Sequence, residues 1–162
     1  MPDTLIYRHV FIVETVLGVF RSESRRVGWR ETGGPLVGYL SADGAVVVTG
    51  ASGPGPRARL GRTNVHIDGQ HATAFCDRIY HESNGSLDYI GDWHRHILWS
   101  IKPSKPDEEA MWRVAVSGSC SLDAPISVIY RRHPESFCVY VLDAESRLNA
   151  VAHSLINSIP KY

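Results

Sequence analysis

The sequence predicts an α/β fold of the α+β type, a mixed β-sheet flanked by helices, and three observations predict it. β-rich runs are interleaved with segments whose apolar residues recur at helical spacing. Asp43-Gly44 between two β-rich runs is a hairpin signal, so at least part of the sheet is antiparallel. The 162 residues, 43% of them hydrophobic, suffice for one sizeable core, which places residues 1–162 in a single domain.

The elements follow in chain order. Residues 5–13 begin strand-like, and from Glu14 to Phe20 apolar positions fall at roughly helical spacing, so a strand leads into a first helix that ends near Gly28. Gly33, Gly34 and Pro35 punctuate the chain before the hairpin of residues 36–40 and 45–49. The run Gly53-Pro54-Gly55-Pro56, followed by Arg57, Arg59 and Arg62, breaks every regular element and is expected as an exposed loop of the kind that carries function. After the apolar run 65–67, Asp68 can cap a helix through about Ser83, with Ala72, Phe75, Cys76, Ile79 and Tyr80 on one face and Asn84-Gly85 ending it. Residues 87–96 read as a strand rich in Tyr, Ile and Trp. A proline-broken loop over 97–106 leads to a third helix from near Asp107, then strands at 126–131 and 137–142. Residues 146–158 are expected to form a last helix, closed by Pro160.

Composition excludes several classes of function. Seventeen Lys plus Arg balance seventeen Asp plus Glu, so the long-range pull on nucleic acid or anionic membrane that a basic protein exerts is absent. No apolar run approaches the ~20 residues of a spanning helix. Residues 1–4 lack the basic start of a signal peptide, so a cytoplasmic location is expected. Cys76, Cys120 and Cys138 stand far apart without a CxxC pair, which suggests reduced, mostly buried thiols and no cysteine-based metal site. Eight histidines offer ligands of another kind.

The strongest local signal is Gly91-Asp92-Trp93-His94-Arg95-His96, followed after seven residues by Ser104-Lys105-Pro106-Asp107. On a strand, residues i and i+2 share a face about 6.6 Å apart, so His94 and His96 can converge on one metal ion while Arg95 points away. Asp107 at the start of the next helix can add a carboxylate, and two imidazoles plus one carboxylate leave a tetrahedral position open for water, as in catalytic zinc sites. Zinc brings the pKa of such a water towards ~7, but a general base must still move its proton. Ser104-x-x-Asp107 also reads as a capping box, a role compatible with facing the metal.

With Glu31 in Glu31-Thr32-Gly33-Gly34-Pro35 upstream, the pattern His94-x-His96-x7-Ser104-x-x-Asp107 resembles the JAMM signature of the JAB/MPN metalloproteases. Ser52 to Pro56 with its arginines, and Ile90-Gly91-Asp92-Trp93-His94, narrow the likeness to stand-alone prokaryotic JAB proteins, including those of CBASS-type anti-phage operons. The resemblance covers about residues 10–145 and implies a cytidine-deaminase-like fold. It also implies His94, His96 and Asp107 as ligands of one Zn²⁺, Glu31 as general base and Ser104 as oxyanion donor. The implied reaction is hydrolysis of the peptide or isopeptide bond after the C-terminal small residue of a ubiquitin-like protein or its conjugate, with a bacterial activating and conjugating system as partner. The family usually carries Ser or Thr between the two histidines and Pro after the second, where this chain has Arg95 and Ile97. A buried Arg95 would need a carboxylate, and Asp92, read as lying on the same strand face, is one candidate.

Two other functions compete. A non-catalytic MPN-type scaffold is disfavoured because all five motif positions are intact. A nucleic-acid-binding protein using Arg25, Arg26, Arg30, Arg57, Arg59, Arg62, Arg131 and Arg132 is disfavoured by zero net charge and the lack of an aromatic-basic motif, so neither nucleic acid nor membrane is expected as a partner. For the hydrolase, residues 52–56 and 97–103 are expected to flank the zinc, with Trp99 and Ile101 offering apolar surface to a substrate tail.

Overall fold

The computed structural model describes residues 6–159, so the expectations for residues 1–4, the strand start at Leu5 and the closure at Pro160 lie outside the described residues. Strand β1 (His9–Val13) runs directly into helix α1 (Glu14–Val27), which ends at Gly28 with φ +64°. The hairpin forms as expected from β2 (Gly33–Leu40) and β3 (Ala45–Ala51), with Gly44 at φ +82° in its turn. A small ribbon, β4 (Arg59–Leu60) and β5 (Val65–His66), precedes helix α2 (Gly69–Glu82). Strand β6 (Asp88–Arg95), helix α3 (Lys105–Ser117), and strands β7 (Ile126–Arg131) and β8 (Ser136–Leu142) follow. Helix α3 begins two residues before Asp107 because Ser104 is its N-cap and Pro106 fits its first turn.

The mixed α/β architecture is borne out: eight strands form one sheet in the order β10-β1-β3-β2-β6-β7-β8-β9, parallel at β10-β1, β1-β3 and β6-β7 and antiparallel elsewhere. Side chains alternate between two packed faces. On one face Leu36, Trp93, Ile126, Val128, Tyr130 and Val139 bury themselves with Phe20 and Val16 of α1. On the other, Ile129, Tyr140 and Leu142 pack with Met111 of α3. No described helix is long and apolar enough to cross a membrane.

The last helix is not there. Residues 146–158 instead form β9 (Leu148–Ala150), antiparallel to β8, and β10 (His153–Ile156), parallel to β1. The two residues between them reach both ends of the sheet: Val151 N–H donates to the Val139 carbonyl at 3.0 Å, and Val10 N–H donates to the Ala152 carbonyl at 2.9 Å. The sheet therefore curls until its two edges nearly meet, and a short extended segment satisfies both sets of edge hydrogen-bonding groups, which a helix cannot do.

Three further expectations change. Residues 53–56 are not simply exposed: Pro54 is buried, and the Trp93 indole donates to the Ser52 carbonyl at 2.9 Å, pinning this segment across β2 at Gly34, where any Cβ would strike it. The apolar face of α2 is only half-buried, with no residue of the helix fully covered. All three cysteines are free and partly rather than fully buried.

Candidate metal centre

The phase of β6 decides which side chains meet. Ile90 and Trp93 both face the α1 core, and this odd spacing of three is a β-bulge: Leu36 pairs with Gly91 but Val37 pairs with Tyr89. Gly91 sits there at φ +145° against the Ile126 backbone, where a Cβ would collide with a carbonyl. Beyond the bulge, Trp93 and Arg95 are buried on the α1 side, so Asp92, His94 and His96 turn to the opposite face, beneath α2 and α3.

On that face α3 delivers its first turn to the two histidines. His94 Nε2 lies 3.1 Å from Asp107 Oδ1, and His96 Nε2 lies 3.4 Å from Asp107 Oδ2. The two Nε2 atoms are 2.9 Å apart. His96 Nδ1 is 2.9 Å from the Ser100 carbonyl, which can only accept, so Nδ1 keeps its proton, and it is Nε2 that gives up its own to present a lone pair when a metal binds. One ligand atom from each of the three residues lies within 4.8 Å of the others, and two imidazole nitrogens plus a carboxylate suit a divalent cation such as zinc. The donor set therefore fits a metal.

Ser104 holds the carboxylate in place. Its backbone N–H donates to Asp107 Oδ2 at 2.6 Å and its hydroxyl to the same oxygen at 2.7 Å, while Asp107 N–H donates back to Ser104 Oγ at 3.4 Å. The capping box read from the sequence is present, and the hydroxyl must rotate from Asp107 before it can donate elsewhere. Burial pushes the Asp107 carboxyl up, but hydrogen bonds from His94 and His96 outweigh it and hold it well below the usual carboxylate range.

Glu31 stands just before β2, where Gly33 pairs with His94, so its carboxylate is brought into the electrostatic reach of both histidines and Asp107. Half-burial raises its carboxyl above the ordinary glutamate range, and His96 and His94 offset part of that rise. The β4–β5 ribbon anchors it, with Glu31 N–H donating to the Gly61 carbonyl at 2.8 Å. Gly33 lets β2 approach β6 closely, since a Cβ there would strike the Trp93 carbonyl and crowd His94.

The expected Arg95–Asp92 pair does not form, because both residues lie beyond the bulge, where the strand alternates regularly and residues three apart face opposite sides. Arg95 is instead 4% exposed and its Nη1 donates to the carbonyls of Ser24, Gly28 and Arg30 at 3.1, 2.6 and 3.2 Å. The guanidinium thus caps the C-terminal end of α1, where unpaired carbonyls and the helix dipole favour a cation. Asp92 accepts from the Tyr89 hydroxyl at 3.1 Å, and burial raises its carboxyl to about 6. In the loop after β6, Trp99 is 84% exposed as expected, whereas Ile101 packs against the α3 core. Sequence reasoning missed the Ser100 and Gly61 carbonyls and the Arg95 anchor. The first two act through backbone atoms, which leave no mark on residue type.

Fold comparison gives the class first. The chain superposes on the solution structure of a protein from Desulfitobacterium hafniense with a TM-score of 0.69 at 12% identity, covering 93% of this chain and 94% of that one, a likeness of fold alone. No protein-family model matches the chain. Among curated proteins it is similar to a probable metalloprotease, y4qB, of Sinorhizobium fredii, 28% identical over 129 residues and 79% of each chain. It is also similar to a CD-NTase/cGAS isopeptidase of Escherichia coli, 33% identical over 66 residues, 41% of this chain and 42% of that protein. A CD-NTase/cGAS isopeptidase of Enterobacter hormaechei is 28% identical over 115 residues, 70% of this chain and 62% of that one. These relatives bear out the resemblance seen in the motif and support a metalloprotease or isopeptidase in general.

Proposed function

We propose that this chain is a JAMM-type zinc metalloprotease of the JAB/MPN kind, acting as one domain, that hydrolyses the peptide or isopeptide bond after the C-terminal small residue of a ubiquitin-like protein or its conjugate. The observation that carries this reading is the convergence of His94, His96 and Asp107 beside a half-buried Glu31. His94, His96 and Asp107 would hold one zinc ion, which when bound supplies a Lewis acid that acidifies water and polarises a carbonyl. Glu31 takes the proton of the attacking water and returns it to the leaving amine, a task suited to a carboxyl whose proton affinity burial has raised. Ser104, having oriented Asp107, turns its hydroxyl to the developing oxyanion. The Ser100 carbonyl fixes the His96 tautomer throughout.

The isopeptidase names of two relatives support a conjugate as substrate and a conjugating system as partner; an antiviral role in the cytoplasm is part of the same proposal. The experiment is mass spectrometry on ubiquitin-like fusions whose C-terminal residue is Gly, Ala, Leu or Phe. Release of cargo after Gly or Ala, lost in Glu31→Gln, is the expected result. Equal cleavage after all four residues overturns the substrate assignment, and no cleavage by zinc-loaded protein overturns the hydrolase reading.

A further inference from the structure

Helix α2 carries apolar residues at regular helical spacing yet buries none of them fully, and beside two of them, Ala72 and Cys76, lies a cavity of about 370 Å³ between the helix and strands β2 and β6. Pro35, Ala72 and Cys76 form an apolar wall, and Asp77, Asp88 and Asp92 supply three carboxylates. No Lys, Arg or His lines the cavity, and among the described residues none of the three carboxylates takes part in an ion pair. Asp92 is at once the deepest anchor and the neighbour of the metal centre. It shares a face of β6 with His94, two residues and about 6.6 Å further on.

We propose that this cavity is a subsite for a basic side chain, lysine or arginine, of the polypeptide that the metal centre cleaves. An apolar wall with carboxylates matches a side chain that has a methylene stem and a cationic head, and the missing counter-cation is what such a ligand provides. An extended peptide advances about 3.3 Å per residue and repeats its side-chain direction every second residue, so the basic residue falls about two or three positions from the cleaved bond. The identity of that polypeptide as a substrate rests on the hydrolase reading; the binding of the cationic side chain does not.

The test separates the two. The full ¹⁵N-labelled chain, zinc-loaded and again after chelation, is titrated with the Nα-acetyl amides of lysine, arginine and norleucine. Lysine or arginine amide is expected to shift the Ala72, Cys76, Tyr89 and Asp92 amide resonances saturably in both forms, with norleucine amide at least tenfold weaker. Asp92→Asn is expected to weaken binding tenfold or more, and Ala72→Leu, which narrows the cavity at its apolar wall, to weaken it likewise while zinc content stays unchanged. Absence of these shifts, equal binding of norleucine amide, or unchanged binding in both variants overturns the proposal. A peptide library cleaved without preference for Lys or Arg at those positions overturns it too. Binding without any cleavage supports the subsite and sinks only the hydrolase reading.

Discussion

Replacing Arg95 by Met keeps the buried stem but removes the donor that closes α1. The Nη1 group has two hydrogens and three carbonyl acceptors, those of Ser24, Gly28 and Arg30, so about two full hydrogen bonds disappear. Hydrogen bonds from a charged group contribute ~1.5–3 kcal/mol each, and the guanidinium's own desolvation cost offsets part of the sum, leaving a net loss of ~3 kcal/mol. For a chain of 162 residues, at ~2–4 °C per kcal/mol, that is a fall in Tm of ~6–12 °C. Urea unfolding followed by circular dichroism measures it, with the midpoint shifting and the slope unchanged. Zinc content is expected to stay at the wild-type level, because Arg95 and the histidines face opposite sides of β6. Arg95→Lys, which keeps the charge but not the planar fork, is expected to recover part of the loss. A loss below ~1 kcal/mol, or an Arg95→Met protein that no longer retains zinc, would refute the reasoning.

Alanine at His94, His96 or Asp107 is expected to reduce zinc from about one per chain to below a tenth, read by elemental analysis, because a three-ligand site rarely survives losing one. Glu31→Gln is expected to keep zinc and fold yet lower hydrolysis by ~10²- to 10⁴-fold, read as initial rates on a cleavable fusion. Ser104→Ala is expected to cost ~1 kcal/mol of stability as a lost cap and ~10²- to 10³-fold in kcat. If stability alone falls, capping is its whole role. Hydrogen bonds from Arg21 hold the Glu135 carboxyl below its usual range, so its stabilisation is present above the unfolded pKa of ~4.3 and fades as pH falls through the lower folded value. Both side chains are more than a third exposed, so Glu135→Gln is expected to flatten acid unfolding by under ~1 kcal/mol.

The local signals in the sequence reported local structure well. Asp43-Gly44 turned the hairpin, Asp68 capped α2 by accepting from His71 N–H at 3.3 Å, and Ser104 capped α3. The same holds for the metal cluster, whose His-x-His pair needs only the alternation of a strand and whose carboxylate needs only the start of the next helix. Glu31 was different: nothing in its own neighbourhood marks it, and the pairing of Gly33 with His94, residues sixty-one apart, is what brings it near.

By itself the sequence determined the residue types that can bind a metal, the turns and caps, and the central strands, because each depends on neighbours within a few positions. The tertiary structure alone decided the rest. Residues 148–156 became strands because both edges of a curled sheet offered them unpaired hydrogen-bonding groups, a demand that outweighs helical preference in a short segment. Arg95 found helix carbonyls instead of Asp92 because beyond the bulge the strand places these two residues on opposite faces, and what lies beyond each face is set by distant chain. The half-buried face of α2 has the same origin: apolar spacing says which side turns inward, but only packing against β2 and β6 decides whether that side meets atoms or a cavity.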